Sequence, residues 1–131
     1  MNKSLEETNK ELVLKVFDLL FNKRDFAAAE QFFSPNYIQH NAYVPSGREG
    51  LFKDRPTSRY ENQSTVANDD HVMLQGRFSE RCPGQPNLIT ADNLRLEEGL
   101  IVEHWDVIQN EVSRENSNSG LPMFGEKFPG E

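Results

Sequence analysis

The segment Gly99-Leu100-Ile101-Val102-Glu103-His104-Trp105-Asp106-Val107-Ile108-Gln109 reads as a β-strand, and its two faces differ in kind. Successive side chains on a strand point to opposite sides of the sheet. Val102, His104, Asp106 and Ile108 therefore share one face, and Ile101, Glu103, Trp105, Val107 and Gln109 share the other. An imidazole and a carboxylate two residues apart among apolar neighbours suit proton transfer. Apolar surroundings strengthen a carboxylate's hold on a proton, and an imidazolium nearby weakens it. The competing reading is an edge strand with its polar residues in water. Large apolar groups on both faces oppose that reading.

Further strands are predicted upstream, at Tyr60–Ala67, His71–Glu80 and Leu88–Leu96. Asn68-Asp69-Asp70 and Glu97-Glu98-Gly99 supply turns, and Pro83-Gly84-Gln85-Pro86 a wider loop. The first third of the chain reads as helix. Ser4 with Glu7, and Thr8 with Glu11, are capping-box patterns. Leu12, Val13, Val16, Phe17, Leu20 and Phe21 follow at helical spacing. Asp25 is positioned to cap a second helix, Phe26–Phe33, which ends at Ser34-Pro35. A short β-prone stretch, Tyr37–Asn41, precedes a third capping box, Ser46 with Glu49, and a helix to about Lys53. Helices followed by a run of strands predict an α+β domain, with the helices on one face of an antiparallel sheet and a cavity at its open end. Residues 1–110 are read as this domain. Residues 111–131, polar and rich in Gly and Ser with apolar islands at Leu121–Phe124 and Phe128, are read as an extended tail.

Three other positions invite chemistry. Ile38 and His40 share a face of the Tyr37–Asn41 stretch, so His40 is placed at the cavity mouth. The alternative is a hydrogen-bonded structural histidine. Asp92 shares a face with Leu94 and Leu96, the pattern of an inward acid among core residues; the alternative is an outward Asp near a bulge. Gln75 and Arg77 lie opposite Val72, Leu74 and Phe78, and the outer face is the expected place for them.

Composition excludes several classes. The 131 residues suffice for one core, with 36% hydrophobic and 27% charged residues in an ordinary balance. No run approaches the roughly 20 apolar residues of a membrane span. The polar, acidic start, MNKSLEETNKE, has no apolar segment behind it, so a secretory signal is not expected. A net charge of −7 with scattered basic residues disfavours nucleic acid as a partner. The single Cys82 has no intrachain partner and reads as an incidental thiol, which fits a reducing, cytoplasmic setting.

Three stretches together resemble a known family: Tyr37-Ile38-Gln39-His40-Asn41; Val44-Pro45-Ser46-Gly47-Arg48-Glu49-Gly50; and Leu96–Gln109 with its ending His104-Trp105-Asp106-Val107-Ile108-Gln109. The helical leader Glu11–Phe33 and Met123-Phe124 add to the likeness. The chain resembles the SnoaL-like branch of the nuclear transport factor 2-like superfamily over nearly its whole length. That resemblance implies a cone-shaped, curved antiparallel sheet of four or more strands wrapped on about three N-terminal helices, the cystatin-like arrangement, with one pocket and often a homodimer. It implies polyketide cyclase-like or isomerase-like activity, with an inward Asp on the last strand as acid or base. Asp106 holds that position, and His40 matches a pocket-facing polar residue after the second helix. Ala42 stands where the branch often has proline, and Gln75 and Arg77 where many members carry histidines.

Three functions compete. The first is cofactor-independent acid/base catalysis by Asp106, His104 and His40 on an apolar, carbonyl-bearing small molecule. Phe17, Leu20, Ile38, Asp92, Val102 and Ile108 would bind the substrate. The second is a ligand-binding or dimerisation module without turnover. The third is a metal site of two imidazoles and one carboxylate, from His40, His104 and Asp106. The enzyme reading ranks first, with no cofactor or metal. A homodimer is expected through an outer sheet face carrying Ile101, Trp105 and Val107, with Leu121–Phe124 reaching a neighbour.

Overall fold

A computed structural model describes residues 3–53 and 57–131. The first helix, α1 (Leu5–Phe17), begins where the Oγ of Ser4 accepts a hydrogen bond from the Glu7 N–H at 3.1 Å. The Thr8/Glu11 pattern lies inside this helix and caps nothing. The helix continues through a wider, π-helical turn at Asp18–Asn22. Asn22 then locks it to the sheet. Its side chain donates to the Tyr60 carbonyl at 3.0 Å and accepts from the Tyr60 N–H at 2.9 Å. Helix α2 (Phe26–Glu30) is capped by Asp25, which accepts from the Ala28 N–H. It stops three residues before the predicted end, because Phe33 already belongs to a strand. The Ile101 N–H donates to the Phe32 carbonyl at 2.7 Å, and tertiary pairing overrides local helix preference.

Strand β1 (Phe33–Gln39), helix α3 (Gly47–Lys53) and four strands follow: β2 (Arg59–Asn68), β3 (His71–Ser79), β4 (Leu88–Glu97) and β5 (Leu100–Asn110). The sheet order is β1-β5-β4-β3-β2. Strands β2 to β5 form an antiparallel meander, and β1 runs parallel to β5. The four predicted strands form the expected antiparallel sheet, and β1 adds a parallel edge strand, giving a curved, mixed five-stranded sheet with three helices. Strand direction depends on the partner, and the partner of β1 lies some 65 residues away in the chain.

The inner face packs Val13, Val16 and Phe17 of α1, and Leu20 of the π-helical turn, against Val72, Leu74, Leu94, Leu96 and Ile101 of the sheet. Ile101 was expected on the outer face. A bulge corrects this: Arg95 pairs with Glu103 and Leu96 with Ile101, so Val102 is the extra residue. The bulge shifts the alternation by one, and Ile101 becomes fully buried on the core side.

The outer face is partly covered by residues 111–131. Glu111 is buried and forms a two-pronged pair with Arg77, at 2.8 and 2.6 Å. Asn87 donates to the same carboxylate at 3.0 Å. The ring of Phe124 lies 4.3 Å from the Arg77 guanidinium, and Phe128 is buried against Arg114, which pairs with Glu131. Phe124 thus rests on Arg77 of its own chain. Arg77 faces outward as expected, but under this cover and not in water. Among the described residues, no helix is long and apolar enough to cross a membrane.

Gly76 sits where a side chain would meet the Tyr60 ring. Gly76→Ala should therefore destabilise the fold by about 1–3 kcal/mol. Urea denaturation of the two proteins checks this; equal midpoints would contradict the close packing of β3 on Tyr60.

Candidate active site

A cavity of about 300 Å³ opens between α1 and the inner face of the sheet. Its apolar wall comes from Phe17, Leu20, Phe21, Phe33, Phe78 and Leu94. Its polar wall is contributed by three strands. Strand β5 supplies His104 and Asp106, β4 supplies Thr90 and Asp92, and Tyr37, Gln39 and Asn41 come from β1 and the residue pair beyond it. Tyr43, Val44, Pro45, Gly50, Leu51 and Ile108 complete the lining, with Tyr43 91% exposed.

The hydrogen bonds fix the proton positions in much of this wall. Gln39 Oε1 accepts from the backbone N–H of Asn41 at 3.0 Å. A flipped amide would set two donors against each other, so this contact fixes its orientation. Gln39 Nε2 then donates to the Tyr37 hydroxyl at 2.9 Å. His104 Nδ1 lies 2.6 Å from the same Gln39 oxygen and must carry a hydrogen. His104 Nε2 faces Asp92 Oδ1 at 2.7 Å. For that contact to attract, one proton must lie between the imidazole and the carboxylate. The other Asp92 oxygen accepts from the Thr90 hydroxyl at 3.0 Å. Asp106 Oδ2 accepts from Asn41 Nδ2 at 2.6 Å and lies 3.9 Å from His104 Nε2. Asp106 Oδ1 has no partner among the described residues. It is the free basic atom of the site.

Of the residues singled out from sequence, Phe17, Leu20, Asp92, His104, Asp106 and Ile108 line this cavity. Three do not. Ile38 is 45% exposed, on the opposite side of β1. His40 is also outside. Its ring stacks on Trp105 at 4.9 Å between centroids, and its Nε2 lies 2.7 Å from Glu103. The cause is register: Ile38 pairs with Glu103 and Gln39 with His104, so the odd-numbered residues Tyr37, Gln39 and Asn41 turn inward. Val102 is buried but displaced from the cavity by the bulge. With His40 on the far face, two imidazoles and a carboxylate do not assemble. The donors that do converge are Asp92, His104 and Asp106, whose ligand atoms lie within 4.8 Å of one another.

Sequence reasoning missed Tyr37, Gln39, Asn41 and Thr90. The alternation of Tyr37, Gln39 and Asn41 was visible, three polar groups on one face. Choosing that face over Ile38 and His40 required the strand partner.

A family model for the SnoaL-like domain matches residues 13–104, well over half the chain. The chain belongs to the SnoaL-like family. No curated protein matches it by sequence. Solved structures do match in fold. TsrD from Streptomyces laurentii is 20% identical, over 81% of this chain and 92% of that one, with a TM-score of 0.67. A candidate ketosteroid isomerase from Kribbella flavida is 16% identical, over 94% and 96%, with a TM-score of 0.72. A candidate SnoaL-like polyketide cyclase from Jannaschia sp. CCS1 is 18% identical, over 83% and 91%, with a TM-score of 0.65. At these identities the likeness is one of fold, and this SnoaL-like chain shares the nuclear transport factor 2-like architecture.

Burial, and then the charges of Asp92 and Asp106, push the Tyr37 phenol well above the ordinary tyrosine range; burial and Asp92 do the same to Tyr60. A phenol with a raised folded value keeps its full contribution to stability below the unfolded value, near pH 10. It loses that contribution as pH rises beyond it, because ionisation favours the unfolded chain. In an ultraviolet titration, Tyr37 and Tyr60 should ionise only together with alkaline unfolding. Phenolate absorbance from both before the loss of circular dichroism would contradict their burial.

Proposed function

We propose that this SnoaL-like protein is a cofactor-independent acid/base enzyme acting on an apolar, carbonyl-bearing small molecule, of the cyclase (aldol) or isomerase type. Asp106 is its general base. One observation carries the reading: Asp106 Oδ1 is left without a partner among the described residues, in a cavity walled mainly by aromatic and aliphatic groups. Asn41 holds the other oxygen, so the carboxylate is oriented while one lone-pair-bearing atom stays available.

Proton abstraction alpha to a carbonyl would proceed as follows. The C–H bond breaks, the proton passes to Asp106 Oδ1, and the electron pair becomes the enolate double bond. The His104–Asp92 pair shares a proton, and its Nε2 lies 3.9 Å from Asp106 Oδ2, beyond direct transfer, so any relay to or from Asp106 runs through a bridging water. Phe17, Leu20 and Ile108 exclude water from the reacting face. Two carboxylates line the cavity, with no Lys or Arg among its described residues, so a neutral ketone is favoured over an anion. His40, on the opposite face, has no direct part. Family membership supports a small-molecule ligand, and the isomerase and cyclase names of two fold neighbours agree with the chemistry.

The test uses 1-tetralone, a neutral aromatic ketone with exchangeable C2 protons. In D2O the protein should speed deuterium uptake at C2, read by proton NMR. Asp106→Asn should cost about a hundredfold or more of that acceleration. A variant within a factor of a few of the parent would remove Asp106 from the mechanism. Tight binding with no exchange by either protein would support the non-catalytic module instead.

We also infer a homodimer through the open part of the outer sheet face. Val66 of β2 pairs directly with Met73 of β3, and Val107 stands on β5 across the intervening β4, next to the half-buried Trp105; all three are between about half and three-quarters exposed. An apolar patch of this kind is rarely left to water. Light scattering at micromolar concentration should report a dimer, and Val107→Glu should shift it to monomer. A wild-type monomer would count decisively against it.

A further inference from the structure

The donors and acceptors around β1 do not balance within the protein. The Asn41 N–H makes Gln39 Oε1 an acceptor, so Gln39 Nε2 is a donor. That donor is directed at the Tyr37 oxygen at 2.9 Å, so the tyrosine accepts in this bond. Its own O–H hydrogen has no acceptor among the described residues. The ring is 4% exposed and lines the cavity. A donor in such a place is costly to leave unmatched.

We propose that the Tyr37 hydroxyl is the group that binds the substrate's carbonyl oxygen, and that Gln39 is the positioning residue that aims it. The inference rests on the acid/base reading above and adds to it the atom opposite the base. As Asp106 Oδ1 takes the alpha proton, negative charge moves to the carbonyl oxygen. The Tyr37 O–H donates a hydrogen bond to that oxygen throughout and transfers no proton. A preset donor aimed where charge develops stabilises the transition state more than the ground state. Burial, and then the charges of Asp92 and Asp106, hold the phenol in its protonated form, so it remains a donor across the working range. The arrangement also narrows the ligand: it must present an acceptor oxygen next to an apolar ring system, and tetralin, the same skeleton without oxygen, gains nothing from Tyr37.

Carbonyl-labelled 1-tetralone and tetralin separate the possibilities. Bound to the wild type, the ketone should show a lowered C=O stretch in infrared difference spectra. Tyr37→Phe should abolish that lowering and weaken ketone binding by up to about tenfold, with tetralin affinity unchanged. An unaltered stretch and affinity in the variant would overturn the inference. If the variant does not fold, the wild type labelled at the tyrosine ring carbon that bears the hydroxyl still decides. The Tyr37 resonance should move on adding ketone and not on adding tetralin, and a resonance indifferent to both overturns the assignment. Asp106→Asn separates this inference from the reading beneath it, since that variant should keep the lowered stretch while losing deuterium exchange. Exchange without a lowered stretch leaves Asp106 as base and removes Tyr37. A lowered stretch without exchange in the wild type keeps Tyr37 and removes the base. A wild type that binds neither probe overturns both.

Discussion

The parallel pairing of β1 with β5 is the constraint on which the site depends. It joins residues 33–39 to 101–104 across more than 60 residues of chain, with the His40 N–H donating to the His104 carbonyl at 2.9 Å. The side-chain contacts that orient the reactive groups straddle this ladder: Gln39 reaches His104, and Asn41 reaches Asp106. A slip of one residue would exchange the faces of β1. It would send Tyr37, Gln39 and Asn41 outward and bring Ile38 and His40 into the cavity. The aromatic packing of Phe33 on Tyr37 and on Phe52 of α3 opposes such a slip, because it seats the odd-numbered face against a helix.

The order of elements, the helix caps at Ser4 and Asp25, and the four meander strands were legible from local signals. Each depends on residues within a few positions of one another. Asp92, His104 and Asp106 were legible for the same reason, since alternation along β4 and β5 puts them on the core side. What local signals could not convey was the partner of β1. Its face choice turns on register with a remote strand, so His40 and Ile38 were placed inside while Tyr37 and Gln39 went unnoticed. The bulge at Val102 is a similar case. It follows from fitting β5 to β4 past the Glu97–Gly99 turn, and nothing in Leu100–Gln109 alone announces it.

The C-terminal segment is held by a small number of contacts. Rich in Gly, Ser and Asn and read from sequence as an extended tail, it meets the sheet at several points: Glu111 pairs with Arg77, Phe124 lies on the same guanidinium, and the Gly125 N–H donates to Gln63 Oε1. The buried Arg77–Glu111 pair is satisfied from several sides, with Asn87 donating to the carboxylate and Glu61 near the guanidinium. Removing one member would leave the other charged and desolvated, which is costlier than the pair is worth. The outer face is thereby divided into a covered part at the Arg77 end of β3 and an open part around Met73 and Val107.

Trp105 stands between the two parts of the molecule that matter most. It is the chain's single tryptophan, packed between the rings of His40 and His71 on the outer face. Its neighbours in sequence, His104 and Asp106, face the cavity on the other side of the same strand. Any twist or lift of β5 that repositions those two groups must also move the indole relative to its flanking imidazoles. Evolution has thus left an optical gauge on the back of the reacting strand, whose emission follows the seating of that strand without a label.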